Sequence, residues 1–110
     1  MVFRVRLSPR ALKDVESAYI YYAEIDGSYA WSWYDGLEAA LESPTEFPLR
    51  CSLAFEPRFF SIPLRQQLYG KGAQCYRILF TVHEDEVRVH HIRHCRQEPI
   101  STIDPRDEDE

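Results

Sequence analysis

The side chains best suited to chemistry crowd into the second half of the chain. Arg65, Arg77, Arg93 and Arg96 are joined there by His83, His90, His91 and His94. A guanidinium grips a phosphate through paired N–H donors, and an imidazole exchanges protons near neutral pH. Metal-independent cleavage of RNA needs such groups: a base to take the 2′-hydroxyl proton, cations to stabilise the charged phosphorane, and an acid to protonate the leaving oxygen. Arg77, His94 and Arg96 are the catalytic candidates. Arg65, Arg77 and Arg93 are the candidates for binding RNA or another target, and with Arg96 they could make one cationic patch. The same residues have structural uses, since Arg77 can snorkel over core aromatics or pair with an acid, and His94 can sit at a sheet edge bonded to backbone.

Charge is distributed unevenly. The net charge of the 110 residues is -5, which argues against a nucleic-acid ligand until it is divided. Residues 1–56 carry -4, residues 57–103 carry +3 with all four histidines, and the tail Asp104 to Glu110 carries -4. An anionic partner should therefore meet the second half. No metal site is expected. His90 and His91 would point to opposite faces of a strand, and no carboxylate or Cys completes a ligand set. Gly70 and Gly72 fall between strands and not before a helix, which disfavours nucleotide binding, and no other cofactor is expected. Cys51, Cys75 and Cys95 are odd in number and widely spaced, so the expectation is reduced, partly buried thiols with neither a disulfide framework nor a zinc site.

The elements that must position these residues can be read from spacing. Phe3, Val5 and Leu7 alternate with Arg4 and Arg6, the period of a strand with one face on a core. Ser8-Pro9 is a helix start, and Leu12, Val15, Tyr19 and Tyr22 follow at helical spacing to about Glu24. Asp26-Gly27-Ser28 turns the chain into a second helix carrying Ala30, Trp33, Leu37, Ala40 and Leu41, which Pro44 should stop or kink. The aromatics Tyr19, Tyr22, Tyr29, Trp31, Trp33 and Tyr34 at these spacings suggest core and hairpin packing. From Thr45 to Ser61 no period is sustained and a long loop is expected. Pro63 to Tyr69, Gln74 to Val82 and Glu86 to about His94 form a three-stranded antiparallel meander. In its middle strand Tyr76, Ile78, Phe80 and Val82 share the core face, with Cys75, Arg77, Leu79 and Thr81 opposite. The last strand alternates less cleanly, with Val87 and Val89 on one face and Ile92 on the other, and a bulge between Val89 and Ile92 would reconcile them.

The chain is thus expected to be a single α+β domain over residues 1–99, ordered β-α-α-β-β-β, with an antiparallel sheet packed on a two-helix hairpin. Residues 100–110 are an acidic stretch with nothing apolar to pack, expected to be disordered. No run is apolar enough for a signal peptide or membrane span, so the cytoplasm is the expected location.

Within this order three stretches carry a resemblance. Leu7-Ser8-Pro9-Arg10-Ala11, Tyr76-Arg77-Ile78-Leu79-Phe80 and His91-Ile92-Arg93-His94-Cys95-Arg96-Gln97 resemble the strand-to-helix junction, central strand and terminal strand of the RelE/ParE toxin superfamily. The resemblance covers residues 3–99 and includes Glu46-Phe47-Pro48. It implies the toxin of a type II toxin–antitoxin, or plasmid stabilisation, system, neutralised by a cognate antitoxin with which it could form a heterotetramer, or else a homodimer. It implies one of two targets: messenger RNA in the ribosome, cut by the RelE-like branch as an endoribonuclease, or DNA gyrase, inhibited without enzymatic chemistry by the ParE-like branch. Arg77 matches the central-strand arginine of the superfamily, where on the open face of the sheet it could grip a phosphate, and Arg65 a position where its ribonucleases carry basic residues. Cys95 stands where relatives usually have Gly, and Gln97 where Arg is common. A third reading is a non-toxic, degenerate member that only binds a protein partner.

Overall fold

The computed structural model describes residues 3–42, 48–54 and 62–97. Within them run β1 (Arg4–Leu7), α1 (Pro9–Ile25), α2 (Gly27–Glu42), a 3-10 turn Pro48–Arg50, β2 (Arg65–Tyr69), a second 3-10 turn Gly72–Gln74, β3 (Tyr76–His83) and β4 (Glu86–His94). The order is β-α-α-β-β-β, as the spacing predicts. The expected tail from residue 100, the helix stop at Pro44 and much of the 45–61 loop, with Phe55, Phe59 and Phe60, lie outside the described residues. Among those described, no helix is long and apolar enough to cross a membrane.

Strands β2, β3 and β4 form the expected antiparallel meander, but the sheet order is β1-β4-β3-β2, and β1 pairs with β4 in parallel, Arg4 opposite Glu86 through Leu7 opposite Val89. The sheet is therefore mixed and not wholly antiparallel. Strand β3 also starts later than expected, because Gly70 and Gly72 adopt positive φ and residues 72–74 close a 3-10 turn before Tyr76.

One face of the sheet meets the helices. Tyr76, Ile78, Phe80, Val87, Val89 and Ile92 are buried against Ala11, Tyr22, Ala30, Trp33 and Leu37. The bulge that reconciles the last strand is present: Phe80 pairs with Val89 and Leu79 with His91, leaving His90 as the extra residue. Beyond Leu7 no strand among the described residues lies beside the outer edge of β4, and α1 supplies partners there. The Ser8 hydroxyl accepts from the Ala11 N–H at 3.0 Å as the helix cap and donates to the His90 carbonyl at 2.9 Å. Asp14 accepts the Ile92 N–H at 3.0 Å. Backbone groups at this edge are thus satisfied by two side chains, the cap of α1 and Asp14 in its second turn.

Two expectations about side chains are corrected. Leu12 is 58% exposed and lies off the core stripe, since Ala11 is the residue aimed at the sheet. Cys75 and Cys95 are joined as a disulfide, and Cys51 is the one free cysteine. Counting thiols could not reveal this pair, because it depends on register: the two flank the rung of Tyr76 opposite His94 and stand face to face one step further on.

Candidate functional site

Register decides which candidate residues meet. On the sheet face away from the helices Arg77 stands opposite Arg93 on β4 and Leu68 on β2. That face was expected to be open around Arg77, yet Arg77 is 4% exposed, and its Nε donates to Gln66 Oε1 at 3.0 Å. Nearby Leu79 packs with Ala54 and Leu64, a small second core on this side. Burial on this scale favours the structural use of Arg77, since a guanidinium out of water is held by its hydrogen bonds.

Arg65 pairs with Phe80 and so belongs to the helix-side face, where its guanidinium donates to the carbonyls of Cys51 at 2.9 Å and Leu49 at 3.3 Å. It fastens the 48–51 segment to the sheet edge. The single patch of Arg65, Arg77, Arg93 and Arg96 is therefore not assembled: Arg77 and Arg93 share a rung, Arg65 lies across the sheet from them, and Arg96 is exposed in the turn after β4.

His94 shares its rung with Tyr76, hence the helix-side face, and its ring meets Tyr76 edge-on at 5.2 Å. Its Nδ1 accepts from the Arg96 N–H at 3.0 Å, which places the ring proton on Nε2, and this donates to the Ala73 carbonyl at 2.6 Å. Both nitrogens are committed to backbone. Gln97 completes the turn, its Oε1 accepting the His94 N–H at 2.7 Å. The departure at position 97 is thus a cap for the end of β4.

Other polar groups escaped the sequence reading. Thr81 Oγ1 lies 2.7 Å from Nε2 of both His83 and His90, so one hydroxyl links two imidazoles on the Arg77 side of the sheet. His91 Nδ1 is 3.8 Å from Asp14, whose carboxyl is pushed up by burial, against the lowering effect of the Ile92 N–H and Arg10. Among the described residues no three His, Cys, Asp or Glu side chains converge on a point that could hold a metal. On the helix side Tyr22 donates to Gln74 Oε1 at 2.6 Å and lies 2.7 Å from the Tyr76 hydroxyl, whose pKa burial pushes far above the usual phenol value.

Along the helix hairpin runs an apolar groove of about 530 Å³, lined by Leu12, Val15, Tyr19, Trp31, Tyr34 and Leu41 among others. Trp31 is 62% exposed and stacks on Tyr34, whose ring meets Tyr19 edge-on. The charged side chains lining it, Glu16 and Glu38, are both acidic. A hydrogen bond to Glu38 raises the Tyr34 pKa. Its signal in the sequence was apolar residues standing off the buried stripe, which the spacing alone assigned to the core.

Comparison with known proteins adds what geometry cannot. No curated protein is similar to the chain at a significant level. A solved structure described as the chromosomal ParDE TA system from P. aeruginosa is similar with a TM-score of 0.70, at 13% sequence identity over 84% of this chain and 96% of that one, a likeness of fold. The family model of the ParE toxin of the type II toxin–antitoxin system, parDE, matches residues 5–99. With nearly the whole β-α-α-β-β-β domain inside that match, the chain belongs to the ParE toxins of type II toxin–antitoxin systems.

Proposed function

We propose that the chain acts in the cytoplasm by binding DNA gyrase and blocking it, not by cutting RNA. The observation that supports this is the separation of the would-be catalytic groups. Arg77 and His94 face opposite sides of the sheet, and both nitrogens of the His94 ring are bonded to backbone. General acid–base catalysis needs a base within reach of the proton it takes and a cation at the developing charge, and these side chains do not supply the pair at one place. Inhibition by binding needs neither.

Neutralisation belongs to the groove on the helix hairpin. A 530 Å³ apolar channel with Glu16 and Glu38 on its walls suits an amphipathic antitoxin helix that lays an apolar face on Trp31 and Leu12 and flanks it with Lys or Arg. The test is a supercoiling assay with purified gyrase beside a translating extract. Inhibited supercoiling, relieved by the antitoxin, with transcripts intact, is the expected result. Cut transcripts and unaffected gyrase would establish the ribonuclease reading instead, and neither effect would leave a protein-binding module without toxicity.

A further inference from the structure

Cys75 and Cys95 sit where the sheet ends. Cys75 has extended backbone immediately before β3 and Cys95 immediately follows β4, so they continue the ladder one rung past Tyr76 and His94. The Cys95 N–H donates to the Cys75 carbonyl at 2.8 Å, and the Cα atoms are 5.4 Å apart. Main-chain atoms make that bond, so reduction leaves the two thiols facing each other and ready to rejoin. Both cysteines are half-exposed, within reach of a small thiol. Cys51 differs, since it has no cysteine partner and burial pushes its thiol up.

The disulfide fastens two short pieces to each other. One is the β2–β3 connection with its 3-10 turn Gly72–Gln74; the other is the turn from His94 to Gln97 that presents Arg96. Beside the disulfide and the Cys95 N–H, His94 joins them through the Ala73 carbonyl, in a hydrogen bond exposed to solvent. A cross-link at such a place governs local opening, while the strands behind it stay packed.

We propose that Cys75 and Cys95 are a reversible thiol–disulfide site, exchanged by a low-molecular-weight thiol and its disulfide, that clasps the β2–β3 connection to the terminal turn. In reduction a small thiolate attacks one sulfur, breaking the Cys75–Cys95 bond and forming a mixed disulfide. A second thiolate attacks that mixed disulfide, the small disulfide leaves, and both cysteines take up the protons as thiols. Oxidation is the reverse, with the small disulfide accepting the two electrons. A reducing cytoplasm gives the site its default open state, and oxidative conditions close it.

The full chain equilibrated in glutathione buffers from fully reduced to fully oxidised, quenched by alkylation and read by mass, tests this. Cys75 and Cys95 should titrate together as one two-electron couple with a midpoint inside the buffer range, while Cys51 stays a thiol. The oxidised form should melt higher by on the order of ten degrees. Amides of residues 72–75 and 94–97 should exchange at least about tenfold faster when reduced. Cys75→Ser and Cys95→Ser should each abolish the redox dependence, and Cys51→Ser should keep it. Thiols that stay reduced in oxidised glutathione, a disulfide that survives every buffer, reaction at Cys51 alone, or a disulfide that alters neither melting nor exchange would each overturn the proposal.

Discussion

Gly36 of α2 lies under the Tyr69 ring, and a Cβ there would overlap the hydroxyl of Tyr69, which donates to the Trp33 carbonyl at 2.8 Å. Two effects oppose each other when it becomes alanine. Helix propensity favours Gly36→Ala by about 1 kcal/mol, whereas displacing a half-buried tyrosine from its hydrogen bond and packing costs about 1–3 kcal/mol. Denaturant unfolding should show net destabilisation, and a stabilised variant would mean that Tyr69 moves aside freely. Glu86 carries a different expectation. The Arg88 guanidinium bonded to it, with Arg6 and Arg4 behind, holds its carboxyl below the ordinary 4.5. The unfolded chain therefore takes up this proton first as pH falls, so stability present above about pH 4.5 is lost through the folded-state value. Unfolding curves between pH 7 and 2 should show Glu86→Gln less stable than the parent at neutral pH and converging with it in acid. Parallel curves would count against the arginine contacts.

Elements meet at two places with consequences that can be measured. At the first, Ser8 joins the start of α1 to the bulge of β4 by capping Ala11 and serving the His90 carbonyl. Ser8→Ala removes a cap and strands a buried acceptor, so a loss of about 2 kcal/mol is expected. A loss no larger than an ordinary surface substitution would show that water replaces the hydroxyl. At the second, the hairpin groove, Trp31 is exposed and holds no core position. Trp31→Ala should weaken antitoxin binding by about thirtyfold, some 2 kcal/mol, while leaving Tm nearly unchanged. Calorimetric titration showing unaltered affinity would move the antitoxin to another surface. Element boundaries were legible for the same physical reasons that make these contacts matter: Ser8-Pro9 is a start signal because amides there need a cap, and β4 runs from Glu86 to His94 as its alternation and flanking turn predict.

Across the whole molecule, local patterns determined the element order, the two-helix hairpin and the core face of β3, because periodicity reports which side of each element is apolar. They offered a bulge between Val89 and Ile92 as the way to bring Val87, Val89 and Ile92 to one face, and the structure has it at His90. The three quoted stretches also carried the family. Pairing between distant strands was decided only in three dimensions. It set β1 parallel to β4, sent Arg65 to one face and Arg77 to the other, brought Gln97 onto His94 and Cys75 against Cys95, and buried a guanidinium expected to be open. A one-residue change of register reverses every side chain of a strand. Arg77 and His94 were therefore individually legible in the sequence, while their placement on opposite faces was a property of the sheet.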